Sequence, residues 1–306
     1  MRLLWRLRRE QRGSAVVLVA MVTSALLGAA ALGTDVGRLY LERKRLSMLV
    51  DFAALSAAQL LPDNPTQAVA AAQSYVSKNG GDAAAATVTV SPDNHQVTVQ
   101  LAKTVPMTFA RVLGVNQQQV SAQATAQTAP LAGSLGAAPL GVPKNSWVMG
   151  QEVYLKMDAD SGAISPGNYG ALALGKSGAS TYEQNLMYGY GGEVHVGDWV
   201  DTQPGNMAGP TVRAVTYRIS QDPYATFDNF GRTSPRLLIV PILDNFAVNG
   251  KGQVLVVGFG VFFLENAVGS GNDKGEIIGR FVRYLTEGEA SLEAPDLGVY
   301  VTKLIR

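Results

Sequence analysis

The stretch Glu193-Val194-His195-Val196-Gly197-Asp198-Trp199-Val200-Asp201 is the densest set of residues in the chain able to do chemistry. On a strand, Glu193 and His195 share one face, with Asp198 and Asp201 in or after the adjoining turn. A histidine oriented by a carboxylate is the usual base of a hydrolytic site, and the same atoms can ligate a metal. The competing reading is a plain strand, with Val194 and Val196 turned inward, the polar groups outward and Gly197-Asp198 as its turn. There is no serine nucleophile motif and no second histidine nearby, so the plain strand is preferred. A surface hydrolase using His195 with Asp198 or Asp201 is kept as the alternative.

Other candidates are weaker. Asp158-Ala159-Asp160-Ser161-Gly162 begins like a calcium loop but lacks the third acidic position and the distal glutamate. Pro166-Gly167-Asn168 and Pro204-Gly205-Asn206 place proline and glycine where type II turns want them. Gly189-Tyr190-Gly191-Gly192 is followed by neither a helix nor a lysine, so it is no phosphate loop. Aromatic residues that could bind a partner or a sugar include Tyr182, Tyr188, Tyr190 and Trp199, of which the 182–190 tract comes first. No residue set requires a cofactor or a metal.

The elements that must position these residues follow from composition. The chain has 306 residues, more than one core usually holds, with 47% hydrophobic and only 16% charged residues. With no cysteine, disulfide scaffolds, thiolate zinc sites and cysteine nucleophiles are excluded. Residues 1–50 carry a balance of +6 and the remainder −5, a basic end before a mildly acidic body. The body offers no cationic face for nucleic acid. A membrane explains the asymmetry better.

Arg2, Arg6, Arg8, Arg9 and Arg12 precede an uncharged run over residues 13–34. Twenty helical residues span about 30 Å, the hydrocarbon thickness of a bilayer, and five arginines on the short side predict a cytoplasmic N-terminus. A cleaved signal peptide ending at Ala29-Ala30-Ala31 is the rival. It is disfavoured because apolar residues continue at helical spacing through Val36, Leu39, Tyr40, Leu46, Val50, Ala53, Ala57 and Leu60, until Pro62. Residues 14–61 read as one helix, its first half in lipid and its small-residue second half (Ala53, Ala54, Ser56, Ala57, Ala58) suited to close helix contact.

Arg12-Gly13-Ser14-Ala15, the apolar run, Thr34-Asp35-Val36-Gly37-Arg38-Leu39-Tyr40-Leu41 and Asp51-Phe52-Ala53-Ala54-Leu55-Ser56-Ala57-Ala58 together resemble the N-terminal segment of TadG-like proteins of the Flp/Tad (type IVc) pilus assembly system. The resemblance implies a single-pass, pilin-like protein acting in pilus assembly or adhesion. True prepilins carry glutamate five residues after the cleaved glycine, whereas Leu18 stands there in this chain, against prepilin-peptidase processing. The Asp-x-Ser-x-Ser metal site of von Willebrand A domains, found in some longer TadG-like proteins, is missing. The Pro-Gly turns resemble those in C-terminal extensions of some TadG-like proteins, and no catalytic role comes with them.

Beyond Pro62 the pattern predicts a helix over 66–78, a hairpin with strands at 87–90 and 96–101, a short helix over 107–113 and a strand over 119–128. This small α+β unit also resembles the region after the membrane helix in TadE/TadG-like proteins. The uncharged, Pro- and Gly-rich 130–143 reads as a linker. Thereafter helical periodicity fades, and strands are predicted at 151–157, 170–174, 193–200, 211–219, 236–243, 253–264, 276–285 and 297–304. That spacing predicts a sandwich or rolled barrel.

The expected organisation is α+β: a basic segment at 1–13, a transmembrane pilin-like helix at 14–34, its extension at 35–62, a small α+β domain at 63–129, a linker at 130–143 and an all-β sandwich or barrel-like domain at 144–306. The expected function is a non-catalytic structural or assembly component in the inner membrane. Its partners would be lipid, other pilus-assembly or pilin subunits through the N-terminal helix, and a cell-wall or surface ligand; a carbohydrate-binding surface module is a further alternative.

Overall fold

The computed structural model describes residues 3–156, 170–246, 248, 250–268 and 275–305, the side chains of residues 3–14 and 268 excepted. The acidic turn at 158–162 and the Pro-Gly turn at 166–169 lie outside the described residues. The architecture is α+β, in two compact units, Met1–Gln127 with Leu304–Arg306, and Thr128–Lys303.

The first unit is built on α1 (Leu3–Ala58), an unbroken helix of 56 residues and about 84 Å. It begins before the apolar run, so Arg6, Arg8, Arg9 and Arg12 are helical, while Arg2 lies outside the described residues. Its apolar part contains a window of mean hydropathy 2.4, none of it buried, long and apolar enough to cross a membrane. The second half carries a different stripe. Asp35, Leu39, Glu42, Leu46, Leu49, Val50, Ala53 and Ala57 recur every three or four residues and turn inward.

Three elements cover that stripe. Helix α2 (Pro65–Lys78) starts with proline in its first turn and buries Ala68, Ala72 and Val76 at four-residue spacing. Strands β1 (Thr87–Val90), β2 (Gln96–Pro106) and β3 (Gln117–Ser134) form an antiparallel meander, with β2 and β3 in register from Gln96↔Gln127 to Pro106↔Gln117. The β2 residues Val97, Val99, Leu101 and Val105 are buried, alternating with polar neighbours. From Asp35 to Ala58, α1 measures about 36 Å, and the 11 residues of β2 also measure about 36 Å. Helix and hairpin are therefore matched in length. The hairpin extends beyond the predicted strands because Lys103, Thr104, Gln117 and Gln118 break the alternation with exposed polar side chains yet keep their ladder partners.

The unit boundary falls within β3, whose later residues belong to the second unit. That strand continues to Ser134 through residues 130–134, and Ala137, Ala138, Leu140 and Val142 are buried beyond it. The stretch 130–143 is thus core-lining chain rather than a linker. An uncharged run of small apolar residues is what a flexible connection and a buried one have in common.

The second unit centres on a sheet ordered β4 (Val142–Pro143), β9, β10, β11, β5 (Glu152–Lys156), in which β9 spans Leu237–Leu243, β10 Gln253–Val268 and β11 Glu276–Val282. Val254, Val256, Phe259, Val261 and Phe263 fill one core, while Phe262 and Leu264 fill another with Ile277 and Phe281. The central strand is buried on both faces, as its continuous apolar run predicts. A Cβ at Gly260 would stand 2.6 Å from Phe281 Cε1, so this glycine makes room for the ring on the neighbouring strand. Further strands are β6 (Leu172–Ala173), β7 (Val194–His195), β8 (Trp199–Thr202), β12 (Tyr284–Leu285), β13 (Glu289–Ala290) and β14 (Val299–Ile305), the last of which runs from Lys303 into the first unit.

The unit is not all β. Helices α3 (Ala179–Tyr188) and α4 (Ala208–Gln221) pack together and supply Tyr182, Leu186, Ala214 and Val215 to the core on one side of the sheet. The predicted strand at 211–219 is helix α4. Its β-branched residues suggest a strand, but Thr211, Ala214, Val215 and Arg218 form the buried i, i+3, i+4, i+7 stripe. Two of those four are polar, which hid the period.

An ion pair ties the two helices: Arg213 donates to Glu183 through Nε at 2.8 Å and Nη2 at 2.6 Å. Arg213 holds the Glu183 carboxyl below its usual range. A lowered folded-state value means stabilisation that is present above the unfolded carboxylate pKa and lost as pH falls through the folded one. Glu183→Gln should therefore cost only about 0.2–1 kcal/mol at neutral pH, as befits a partly exposed pair, and should remove this acid-side loss. Denaturant unfolding of both proteins across the acid range measures it.

Candidate functional site

In the first unit, polar groups fasten the hairpin to α1 in descending steps. Lys103 Nζ meets Glu42 Oε2 at 2.9 Å, and Arg38 Nη1 donates to the Pro106 carbonyl at 3.3 Å. One further turn along α1, Asp35 is only 3% exposed. Its Oδ1 accepts the Thr108 N–H at 2.9 Å, and its Oδ2 accepts those of Phe109 and Ala110 at 2.8 and 2.7 Å. Three backbone donors converging on one carboxylate satisfy the free N–H groups that open the 3₁₀ turn Ala110–Leu113. Asp35 is part of the sequence motif, but its partners lie more than seventy residues away and no local pattern announces them.

In the second unit, β7 pairs with β3 so that Gly133 faces His195 and Ser134 faces Val194. Val194 is buried and His195 is half-exposed, as the plain-strand reading requires. The imidazole Nε2 lies 3.6 Å from Glu193 Oε2 and 3.5 Å from Glu289 Oε2, and Nδ1 lies 3.7 Å from Asp198 Oδ2. Glu289 was not found from the sequence. It arrives on β13, which pairs with the same stretch of β3.

Asp198 does not orient the ring by a short bond. Its Oδ2 accepts the backbone N–H of His195 at 2.8 Å and closes the turn. Asp201 accepts from Gln253 Nε2 at 3.1 Å across the β8–β10 ladder. The cleft beside His195, about 530 Å³, includes Ser134, whose hydroxyl donates to the Leu135 carbonyl at 2.7 Å rather than to the imidazole. Among the described residues, no group of three or more His, Asp or Glu side chains is arranged to hold a metal ion. The arrangement is a histidine among exposed carboxylates on a sheet surface.

The four aromatic candidates separate. Tyr182 is 2% exposed, its hydroxyl sits 3.0 Å from Thr211 Oγ1, and burial pushes its phenol well above the usual range. It belongs to the core between α3 and α4 and offers no surface. Tyr190 is half-buried and packs its ring against Gly175 and Gly192. Tyr188, edge-on to Tyr217, and Trp199 are exposed.

Residues 13–60 match the family described as putative Flp pilus-assembly TadE/G-like. No curated protein and no solved structure matches the chain. The matched residues run from just before the apolar stretch to just beyond the end of α1, the same span whose motifs carry the resemblance.

Proposed function

We propose that this protein is a membrane-anchored, pilin-like structural or assembly component of a Tad (Flp) pilus or surface-attachment machine, acting without catalysis. The observation that carries the reading is the division of labour within α1. Its first half exposes apolar side chains and its second half is committed to a folded unit, on one uninterrupted helix whose sequence resembles the TadE/G-like family. A helix of this kind transmits position from bilayer to body without a hinge. The five N-terminal arginines support a cytoplasmic N-terminus, with the body outside the cell.

The alanines Ala53, Ala54, Ala57 and Ala58 are all buried within their own unit. Contact with other pilus-assembly subunits through this helix accordingly falls on its exposed apolar half. The acidic body, with Tyr188 and Trp199 at its surface, is the part left to meet a wall or surface ligand. The hydrolase reading finds less support, since Ser134 is turned from His195 and Asp201 is engaged elsewhere.

Deleting the gene should abolish or sharply reduce pili and surface attachment, and a copy encoding His195→Ala should restore both. Normal piliation in the deletion strain overturns the assembly role. Failure of a folded His195→Ala protein to complement favours chemistry at that residue.

A further inference from the structure

We propose that the tip of the β2–β3 hairpin, residues 109–115, is a second membrane contact, seated in the interfacial layer of the bilayer that α1 crosses. The inference rests on the anchor reading above and adds a surface that the helix does not include.

Three observations place the tip there. The first is height. Asp35 is the first charged residue after the uncharged run, and that run is only long enough to span the hydrocarbon once, so Asp35 marks where α1 leaves it. The three N–H bonds from residues 108–110 hold the tip at that level.

The second is direction. As the chain runs from Lys103 to Pro106 on β2 and on to Ala110 in the turn, its partners on α1 step back from Glu42 to Arg38 to Asp35. Ala110, the last residue so fastened, opens the turn on which Val112 and Leu113 are exposed.

The third is chemistry. Phe109 is 45% exposed, Val112 90%, Leu113 70% and Val115 44%. Four large apolar side chains in seven residues, all facing outward, form a patch that a water-facing loop would not retain. Arg111 is the one charge among them, placed to reach lipid phosphates while its stem stays in the apolar layer.

The backbone is suited to a region poor in water. Beyond the three bonds to Asp35, the Val112, Gly114 and Val115 N–H groups are paired with carbonyls of the turn, and the Met107 N–H with that of Asn116. Gly114 has φ +87°, which reverses the chain and leaves Val112 and Leu113 at the apex. On α1, exposed apolar side chains fill residues 16–32, directly before the Asp35 to which the tip is fastened, and the occupant that meets both is lipid.

The chain has no cysteine, so single-cysteine variants of the full protein can carry an environment-sensitive fluorophore. Val112→Cys tests the tip and Leu26→Cys the anchor. Thr89→Cys, on the exposed face of β1, serves as an aqueous reference. The labelled proteins are reconstituted in mixed phosphatidylcholine and phosphatidylglycerol vesicles with a nitroxide either near the acyl carbonyl or deep in the chain.

The label at 112 should emit to the blue of that at 89, resist aqueous iodide by roughly threefold or more, and be quenched by the shallow nitroxide, matching interfacial burial of about 5–10 Å. The label at 26 should respond to the deep nitroxide. A tip label as accessible to iodide as that at 89, with the label at 26 still in lipid, overturns this inference and leaves the anchor standing. Protection from iodide without nitroxide quenching means that protein covers the tip, and also overturns it. A label at 26 in water removes both.

Discussion

Asp35→Ala should free the hairpin tip while leaving the far end of the same hairpin intact. Amide exchange at Thr108, Phe109 and Ala110 is expected to rise by about a hundredfold, because three charge-assisted hydrogen bonds disappear together. Of the neighbouring α1 residues, Thr34 turns its hydroxyl to the Ala30 carbonyl and Val36 is aliphatic. Asp35→Asn should be nearly as damaging. An amide has a single acceptor oxygen, and its NH₂ would face a backbone donor.

The register pairs Gln96↔Gln127 to Leu101↔Ala122 are held by their own ladder and by the alanine-rich packing of α1 and α2, so their protection should not change. Hydrogen exchange resolved by residue distinguishes the two ends. Unchanged protection at 108–110 in Asp35→Ala would show that the carboxylate is not what holds the tip.

The second large effect is expected at Arg236, just ahead of β9. Its guanidinium donates to the Leu264 and Ala225 carbonyls at 2.8 and 2.7 Å, to Glu265 at 3.0 Å and to Asp222 at 3.4 Å, and lies 4.9 Å from the Phe263 ring centroid. One side chain thereby ties together the end of α4, the loop after it and the later part of β10. Arg236→Met keeps much of the volume but leaves buried carbonyls unsatisfied, at an expected cost of about 3–5 kcal/mol.

Arg236→Lys should rescue little, because one ammonium cannot reproduce a planar fork spread over four acceptors. Denaturant unfolding of the full protein reads both variants. A midpoint for Arg236→Lys equal to the parent's would refute the clamp. Arg218 is the companion clamp, donating to Leu186 and Pro235 carbonyls at 2.5 Å each. Burial pushes its pKa down to about 10, so it is still a cation at neutral pH.

Both arginines show why part of the fold was hidden in the sequence. A buried cation satisfied by main-chain carbonyls has no sequence partner, since every residue carries that acceptor. Arg218 and Thr211 also masked the period of α4, because a reading that counts apolar residues alone discards half of its buried stripe. Tyr182 misled in the opposite direction. An aromatic in a glycine-rich tract looks available, yet Tyr182 lies a turn before Leu186 on the face of α3 that α4 covers. The run 130–143 failed as a linker because composition cannot tell a flexible stretch of small residues from a packed one.

What the amino-acid order alone determined is whatever is set by neighbours along the chain. The continuity and polarity of α1, the β2–β3 alternation, the doubly buried β10 and the turn at Gly197-Asp198 all follow from residues a few positions apart, whose periods declare which face is apolar. Tertiary structure decided everything requiring two distant segments to meet: Glu289 beside His195, carbonyls around Arg236, and above all the hairpin tip fastened to Asp35. Those placements depend on strand register and helix packing, and their energy comes from burying polar groups against specific partners, which no local pattern records.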